Sequence, residues 1–372
     1  MKKNLWTLGA SLLLCCACQP NDNLQGDLSG VESDTVLVYK INALTYNWIG
    51  VDTVALEDGH FSLNIADSVP IHLSMDAKHK YGEKKGQILY QNFLFFPGDH
   101  MSIQGNPPYN LTAKGTAIYD LLASDAEYMK LSAEIASLDQ QMDCLAEDDE
   151  RLDTLEKASD LKQKELNKTM LRFVRTHPDS EAAAYLCLSL EEEEGLEAIA
   201  RLSEKVRKGR MRPWLDETEA YCKESLALKD IRQQLQPGVT APDFQLKDAK
   251  GKTVSLADFR GKYVVLDFWG TWCGWCLAGV PKMKTYYEKY AQQVEFVGIC
   301  CADQKDRWLK CLKQRQMNWT NLFQEETEKV AYHYGVDGYP TKIILDKEGT
   351  IIAVFEGESQ EFYDQLDELF HQ

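Results

Sequence analysis

The sequence lacks an excess of basic residues. Its 372 residues include 41 lysines and arginines against 58 aspartates and glutamates, which gives a formal net charge of −17 at pH 7. Binding of nucleic acid needs clustered basic side chains that neutralise phosphates, so this balance excludes a nucleic-acid partner. The acidic surface is most simply explained as a solubility feature.

Long apolar runs are also missing, apart from one at the N-terminus. Lys2 and Lys3 precede an apolar run over residues 5–17, and no later stretch is apolar enough to span a bilayer. This run is itself too short to span a membrane and has the length of the apolar region of a secretion signal. The N-terminus is therefore predicted to direct export.

Glycine and proline are absent between Gly115 and Pro178. Such a stretch favours helix, and its apolar residues recur at intervals of three and four. These residues are Tyr128, Leu131, Ile135, Leu138, Met142 and Leu145. The acidic residues 147–150 mark either the turn of a helical hairpin or the solvated face of one long helix. We expect residues 115–236 to form a helical connector, and a coiled-coil dimerisation arm is less favoured because the stripe is regular over too few heptads.

Residues 25–108 instead show the short β-type runs expected of a small antiparallel sandwich. Turn-forming segments such as Glu57-Asp58-Gly59 separate these runs. Four histidines are scattered through the region: His60, His72, His79 and His100. Their scatter fits ordinary strand or loop positions better than a metal site, and the region contains no convincing catalytic set.

The chemistry of the chain is concentrated in residues 264–276, V-V-L-D-F-W-G-T-W-C-G-W-C. A buried strand is predicted to end in a turn and a C-x-x-C pair, Cys273 and Cys276, at the start of a helix. The spacing places the two cysteines one helical turn apart, so their sulfurs can join without backbone movement. Free N–H groups and the helix dipole stabilise a thiolate on Cys273, which makes it the attacking sulfur. Cys276 is expected to be more buried and to resolve the mixed disulfide.

This segment resembles the active site of the thioredoxin superfamily, in particular its TlpA/ResA-like branch of anchored envelope thiol-disulfide oxidoreductases. The shared pattern is an apolar strand, W-C-x-x-C, four residues and a proline, here Trp272, Cys273, Cys276 and Pro281. The family's cis-proline is matched by Pro340 within Gly338-Tyr339-Pro340-Thr341. The resemblance implies a thioredoxin-like α/β domain over residues 238–372, with a central mixed sheet flanked by helices.

The resemblance also implies roles for individual residues. Asp267 lies where thioredoxin has a buried acid that takes the proton of the second cysteine, and burial is expected to raise its pKa to suit that exchange. The alternative for Asp267 is an acid paired with a nearby lysine. Pro340 is expected to be cis and to block metal capture, while the backbone of Tyr339 pairs with an extended substrate peptide. Trp272 and Trp275 are assigned to substrate binding.

The chain departs from the family pattern in three places. Gly279 stands where many TlpA/ResA-like proteins have an acid, so the proton route is expected to depend on Asp267 alone. Gly274-Trp275 replaces the Gly-Pro pair of thioredoxin. Because this dipeptide tunes the stability of the thiolate, the redox potential of thioredoxin cannot be assigned to this chain. Tyr339 is bulkier than the family's usual residue before the proline, which leaves the substrate open.

Alternatives for the C-x-x-C pair are less favoured. A structural zinc needs four ligands, and Cys300, Cys301 and Cys311 would supply them only at an unusual spacing. A degenerate thioredoxin fold used for binding would most readily have lost a cysteine. Peroxidase chemistry needs a P-x-x-x-T-x-x-C loop, and Thr271 stands only two residues before Cys273.

Two cysteines near the predicted site have an open role. Strands over residues 264–269 and 294–300 are expected to be parallel, so their carboxyl ends share one edge of the sheet. Cys300 and Cys301 then lie on the edge that holds Cys273. A third redox cysteine is possible there, and a buried apolar thiol is the default interpretation.

Residues 14–19, L-C-C-A-C-Q, resemble the end of a bacterial lipoprotein signal. Residues 1–18 are accordingly predicted to be the signal, with Cys18 as the lipidated residue. Cys15 stands where leucine is usual, so Cys16 is the second candidate, and a plain cleaved signal is the alternative.

Taken together, these features predict a lipid-anchored, periplasm-facing thiol-disulfide oxidoreductase of the cell envelope. Its partners would be protein or peptide disulfides and a membrane electron donor, and by analogy with the family it would act as a reductase. No cofactor or metal is required, because the electrons reside in the sulfurs. The alternative is a non-catalytic envelope binding or scaffold lipoprotein that carries a thioredoxin fold.

Overall fold

The computed structural model describes residues 22–28, 31, 33–77, 92–106, 110–146 and 148–371. The predicted signal, with Cys16 and Cys18, lies outside these residues, as does His79. The chain divides into two compact units, Met1–Ala220 and Tyr221–Gln372. Among the described residues, no helix is both long and apolar enough to cross a membrane.

The described part of the first unit begins with two four-stranded sheets, ordered β4-β1-β7-β8 and β3-β2-β5-β6. The strands are β1 (Leu24–Leu28), β2 (Thr35–Asn42), β3 (Trp48–Ala55), β4 (His60–Leu63), β5 (Ile71–Ala77), β6 (Phe93–Phe95), β7 (Met101–Asn106) and β8 (Asn110–Lys114). Neighbouring strands are antiparallel, as expected, except that β1 and β7 pair in parallel.

A helical region follows the two sheets, as the absence of glycine and proline predicts. The helices are α1 (Ala117–Ala123), α2 (Ala126–Asp143), α3 (Leu152–Thr176), α4 (Glu181–Cys187), α5 (Glu192–Arg201), α6 (Glu204–Arg207) and α7 (Arg212–Gln234). The helices α2 and α3 pack as a hairpin, so the described acidic residues 148–150 lie in the connection between them and not on the face of one long helix. Asp125 caps α2 and pairs with Arg172 of α3 at 2.7 Å.

The second unit is built on a seven-stranded mixed sheet in the order β10-β9-β13-β12-β11-β14-β15. Its strands are β9 (Gln245–Asp248), β10 (Thr253–Ser255), β11 (Tyr263–Trp269), β12 (Val294–Cys300), β13 (Thr320–Phe323), β14 (Thr341–Leu345) and β15 (Ile351–Glu356). Its helices are α8 (Gly274–Tyr290), α9 (Lys305–Arg315), α10 (Val330–His333) and α11 (Gln360–Phe370), with a short 3₁₀ helix at Leu256–Phe259. This is the thioredoxin-like α/β fold expected from the sequence.

The central strand β11 is parallel to β12 and antiparallel to β14, and it is covered on both faces. Val264, Leu266 and Phe268 pack in the core beside α10 and the 3₁₀ helix. Val265 and Trp269 pack in the opposite core with α8, α9 and α11. Since successive strand residues alternate in direction, Asp267 points to the face of α8 and α11.

The sequence pattern of residues 325–334 predicts a helix, but in the structure α10 covers only Val330–His333. Residues 326–328 form a turn, in which the Glu328 carboxylate accepts the N–H of Glu325 at 2.6 Å. Lys329 has a φ of 47°, a left-handed conformation that an α-helix cannot continue through. The left-handed backbone of Lys329 therefore interrupts the predicted helix.

Candidate active site

The first turn of α8 holds the two cysteines. Cys273 is the N-cap residue of α8, and a disulfide joins it to Cys276 with the Cα atoms 5.3 Å apart. The Cys273 sulfur accepts the backbone N–H of Cys276 at 3.1 Å. A helix N-terminus offers such free N–H groups and a positive dipole end, both of which favour negative charge on this sulfur.

The turn between β11 and α8 is fixed by a residue that sequence reasoning missed. Asp303, shortly after β12, accepts the backbone N–H of Thr271 at 2.6 Å and its hydroxyl at 3.0 Å. The parallel pairing of β11 and β12 brings these two strand ends together. The sequence feature that could have identified Asp303 is its position just beyond the carboxyl end of a predicted strand.

Burial does not distinguish the two cysteines. Cys273 is 6% exposed and Cys276 is 7% exposed, so the prediction that Cys276 is the more buried one is wrong. The residues around them differ instead. The Cys273 sulfur lies 3.6 Å from the carbonyl oxygen of Tyr339, whereas Cys276 lines a small internal cavity of about 10 Å³ with Asp267 and Pro340.

The loop before β14 forms the opposite wall of the site. The Tyr339–Pro340 peptide bond is cis, as predicted. The Trp272 ring packs edge-on against Tyr339 with the centroids 5.2 Å apart, and its Nε1–H donates to the carbonyl of Cys301 at 3.3 Å. Trp272 is 48% exposed and Trp275 is 74% exposed, so both tryptophans present apolar surface beside the disulfide.

Asp267 lies beneath Cys276 on the core face of β11. Burial raises the pKa of its carboxyl, while the Lys342 ammonium lowers it and the Glu358 carboxylate raises it. Oδ1 of Asp267 is buried and has no hydrogen-bond partner within the part of the chain that the structure describes. Its nearest cation, Lys342 Nζ, is 3.9 Å away and pairs more closely with Glu358, at 2.6 Å. The lysine that the alternative interpretation of Asp267 requires is therefore present as Lys342, but its closer carboxylate is that of Glu358.

Glu358 occupies the space that a side chain at position 279 would fill. A Cβ on Gly279 would lie 2.4 Å from Glu358 Oε2, closer than real Cβ contacts allow. Glu358 lines the same cavity as Cys276 and Asp267, so a second acid lies near the pair, whereas the expectation that the proton route depends on Asp267 alone stays a prediction. Sequence reasoning missed both Lys342 and Glu358. A charged residue inside the apolar strand Thr341–Leu345 was the signal for Lys342, whereas nothing local marked Glu358.

The neighbouring cysteines have the character of structural thiols. Cys300 and Cys301 are fully buried, and burial raises the pKa of both thiols, that of Cys301 to about 12. Burial also raises the pKa of Cys311. Raised values keep a thiol protonated and unreactive near neutral pH. These thiols fit the default interpretation better than that of a third redox cysteine.

Comparison with known proteins gives the family. Residues 237–354 match the AhpC/TSA family. The chain is 36% identical over 138 residues to the thiol-disulfide oxidoreductase ResA of Bacillus thuringiensis, covering 37% of this chain and 78% of that protein. It is 31% identical over 131 residues to ResA of Bacillus subtilis, covering 35% and 73%. Among solved structures, a thiol:disulfide interchange protein DsbE from Chlorobium tepidum is 31% identical, with a TM-score of 0.34 and coverage of 36% and 94%. With its C-x-x-C pair at the start of α8, the chain belongs to the ResA-like thiol-disulfide oxidoreductases, and its C-terminal domain is a thioredoxin-like enzyme domain.

Proposed function

We propose that this enzyme reduces protein disulfides, with Cys273 as the attacking sulfur. The observation that carries the proposal is the position of the Cys273 sulfur. It accepts an N–H at the amino end of α8 and lies at the loop of the cis Tyr339–Pro340 bond. Cys276 lies on the inner side, beside a buried acid.

The proposed reaction has two exchanges. In the dithiol form, the Cys273 thiolate attacks a substrate disulfide, forms a mixed disulfide and releases one substrate thiolate. Cys276 then gives its proton to the Asp267 carboxylate and attacks the Cys273 sulfur. The second substrate sulfur leaves with the electron pair of the broken bond and is protonated. The substrate gains two electrons, and the enzyme becomes the Cys273–Cys276 disulfide.

Substrate binding is proposed to use the wall opposite the disulfide. An extended peptide would pair with the backbone of Tyr339 by adding a strand-like segment beside the cis Pro340. Trp272 and Trp275 would contact its side chains, because exposed aromatic rings supply large contact area at small entropic cost. Pro340 would shape the cleft and keep metals from the sulfurs.

We place this activity in the cell envelope, anchored by lipid on Cys18 after cleavage of a signal over residues 1–18. The enzyme would face the periplasm and receive electrons from a membrane donor. The proposed organisation is a β-rich domain over residues 25–108, a helical connector over 115–236 and the redox domain over 238–372. These assignments rest on the sequence features of the N-terminus and on family analogy.

A redox titration tests the direction. The chain is equilibrated in dithiothreitol or glutathione buffers and followed by tryptophan fluorescence, for which Trp272 and Trp275 are adjacent reporters. A potential near about −270 mV, like that of thioredoxin, supports a reductase, whereas one near about −120 mV, like that of DsbA, indicates a disulfide-forming oxidant. A Cys276→Ser variant should trap substrate on Cys273. If the fluorescence shows no reversible redox transition, and alanine at either Cys273 or Cys276 makes no difference, the binding or scaffold alternative replaces the proposal.

A further inference from the structure

The buried charges beside Cys276 are unequally paired. Lys342 is 2% exposed, and its Nζ lies 2.6 Å from Glu358 Oε2 but 3.9 Å from Asp267 Oδ1. Coulomb attraction weakens with distance, and only the shorter separation allows a charge-assisted hydrogen bond. Lys342 is therefore held mainly by Glu358, and Asp267 Oδ1 accepts no hydrogen bond from the described residues.

Further contacts hold Glu358 in place. The Tyr363 hydroxyl donates to Glu358 Oε1 at 2.5 Å, so each carboxylate oxygen has its own donor. Gly279 of α8 leaves the room for this carboxylate, because any Cβ there would meet it at 2.4 Å. Glycine in a helix interior is destabilising relative to alanine, so its use here needs a packing reason. The Glu358 carboxylate supplies that reason.

We infer that Glu358 is a positioning residue of the disulfide exchange, which holds the Lys342 ammonium and so leaves Asp267 free to accept the proton of Cys276. The inference rests on the proposed function. In the step it serves, the S–H bond of Cys276 breaks and its proton moves to the Asp267 carboxylate. The Cys276 sulfur bonds to that of Cys273, and the electron pair of the mixed disulfide leaves on the substrate sulfur.

Removing the charge of Glu358 has a definite direction. The titratable and charged groups around Asp267 come from α8, β14, α11 and the segments after β12 and β15: Cys276, Lys342, Tyr363, Cys301 and Glu358. In the Glu358→Gln variant, Asp267 is the carboxylate of this group that remains beside Lys342. The group has also lost the negative charge of Glu358. Both changes favour the charged forms of Asp267 and Cys276. The pH at which resolution reaches half its maximal rate should therefore fall by about one unit.

The experiment follows the lifetime of the mixed disulfide in the full chain. Reduced enzyme is mixed with glutathione disulfide between pH 5 and pH 9 and quenched with acid. Peptide mass spectrometry then measures the Cys273–glutathione adduct against the Cys273–Cys276 disulfide. Glu361→Gln, which removes an exposed carboxylate three residues further on, is the matched control. Gly279→Ala is a second variant, in which the new methyl group displaces the Glu358 carboxylate without changing any charge.

The expected result is a lower half-maximal pH in Glu358→Gln, a shift in the same direction in Gly279→Ala, and none in Glu361→Gln. Glu358→Asp, which keeps the charge, should return the midpoint toward that of the unaltered enzyme. The inference is overturned if folded Glu358→Gln resolves its adduct with an unshifted midpoint, or if Glu361→Gln shifts as far. Should Glu358→Gln not fold, an unshifted Gly279→Ala overturns it. Formation of neither the Cys273 adduct nor the Cys273–Cys276 disulfide by the unaltered enzyme would instead overturn the proposed function.

Discussion

Replacing Lys342 with methionine should destabilise the redox domain in a pH-dependent way. Lys342 has 3% side-chain exposure, and its ammonium is shared by Asp267 and Glu358, which are 13% and 17% exposed. Lys342→Met keeps most of the packing volume but leaves two carboxylates buried without their cation. Removing one partner of a buried ion pair costs about 3–5 kcal/mol, because the remaining charge keeps its desolvation penalty.

The sign of the pH dependence follows from the carboxyl groups. Burial already raises the pKa of Asp267, and Lys342 is the cation that lowers it. Without Lys342 this pKa rises further above its unfolded value of about 3.9. A carboxyl with a raised folded-state pKa destabilises the fold at higher pH and ceases to do so as pH falls toward its unfolded pKa. The cost of Lys342→Met should therefore be largest at neutral pH and shrink as the solution is acidified.

Native-state hydrogen exchange by mass spectrometry measures this cost within the full chain. Amides in peptides covering residues 263–269 and 341–345 report opening of the central sheet. With rates referenced to unstructured peptides at each pH, a loss of 3–5 kcal/mol corresponds to exchange about 150- to 5,000-fold faster at pH 7.5. Lys310→Met, at an exposed position of α9, is the control. Exchange within threefold of the unaltered protein at pH 7.5, or a defect that grows on acidification, would refute the reasoning.

The remaining predictions concern the exchange reaction. Asp267→Asn should lengthen the lifetime of the mixed disulfide on Cys273 by about 10²-fold at pH 7, which is the usual size of a general-base contribution. The rate of the first attack by Cys273 should change little. An unchanged lifetime in the acid-quench assay would exclude Asp267 as the base. Cys301→Ser should leave the titrated redox potential unchanged, because burial raises the pKa of this thiol to about 12 and so keeps it protonated and unreactive. A shifted or additional redox transition would instead support a third redox cysteine. Trp275→Ala should slow reduction of a peptide disulfide about tenfold through lost contact area but leave the reaction with oxidised dithiothreitol unaffected. Equal slowing of both reactions would argue against a substrate-binding role.

Local sequence patterns were sufficient for much of the redox domain. The strand that ends at Trp269 is apolar on both faces, and the C-x-x-C pair follows it at the start of a helix. These are consequences of periodicity and spacing within a few residues. The resemblance to a known family added the cis bond before Pro340, which the structure confirms. The shorter α10 shows where the pattern failed, because the left-handed backbone of Lys329 interrupts the predicted helix.

The sequence by itself determined the cysteine pair, the strand and helix that present it, and the family. Only the tertiary structure decided which charges surround Cys276. Lys342 faces Asp267 through the antiparallel pairing of β14 with β11, and Glu358 reaches the same cavity from the segment after β15. These residues are 75 and 91 positions from Asp267 in the chain. Local periodicity carries no information over such separations, because strand register and packing bring the carboxylates and the ammonium together only in the folded domain.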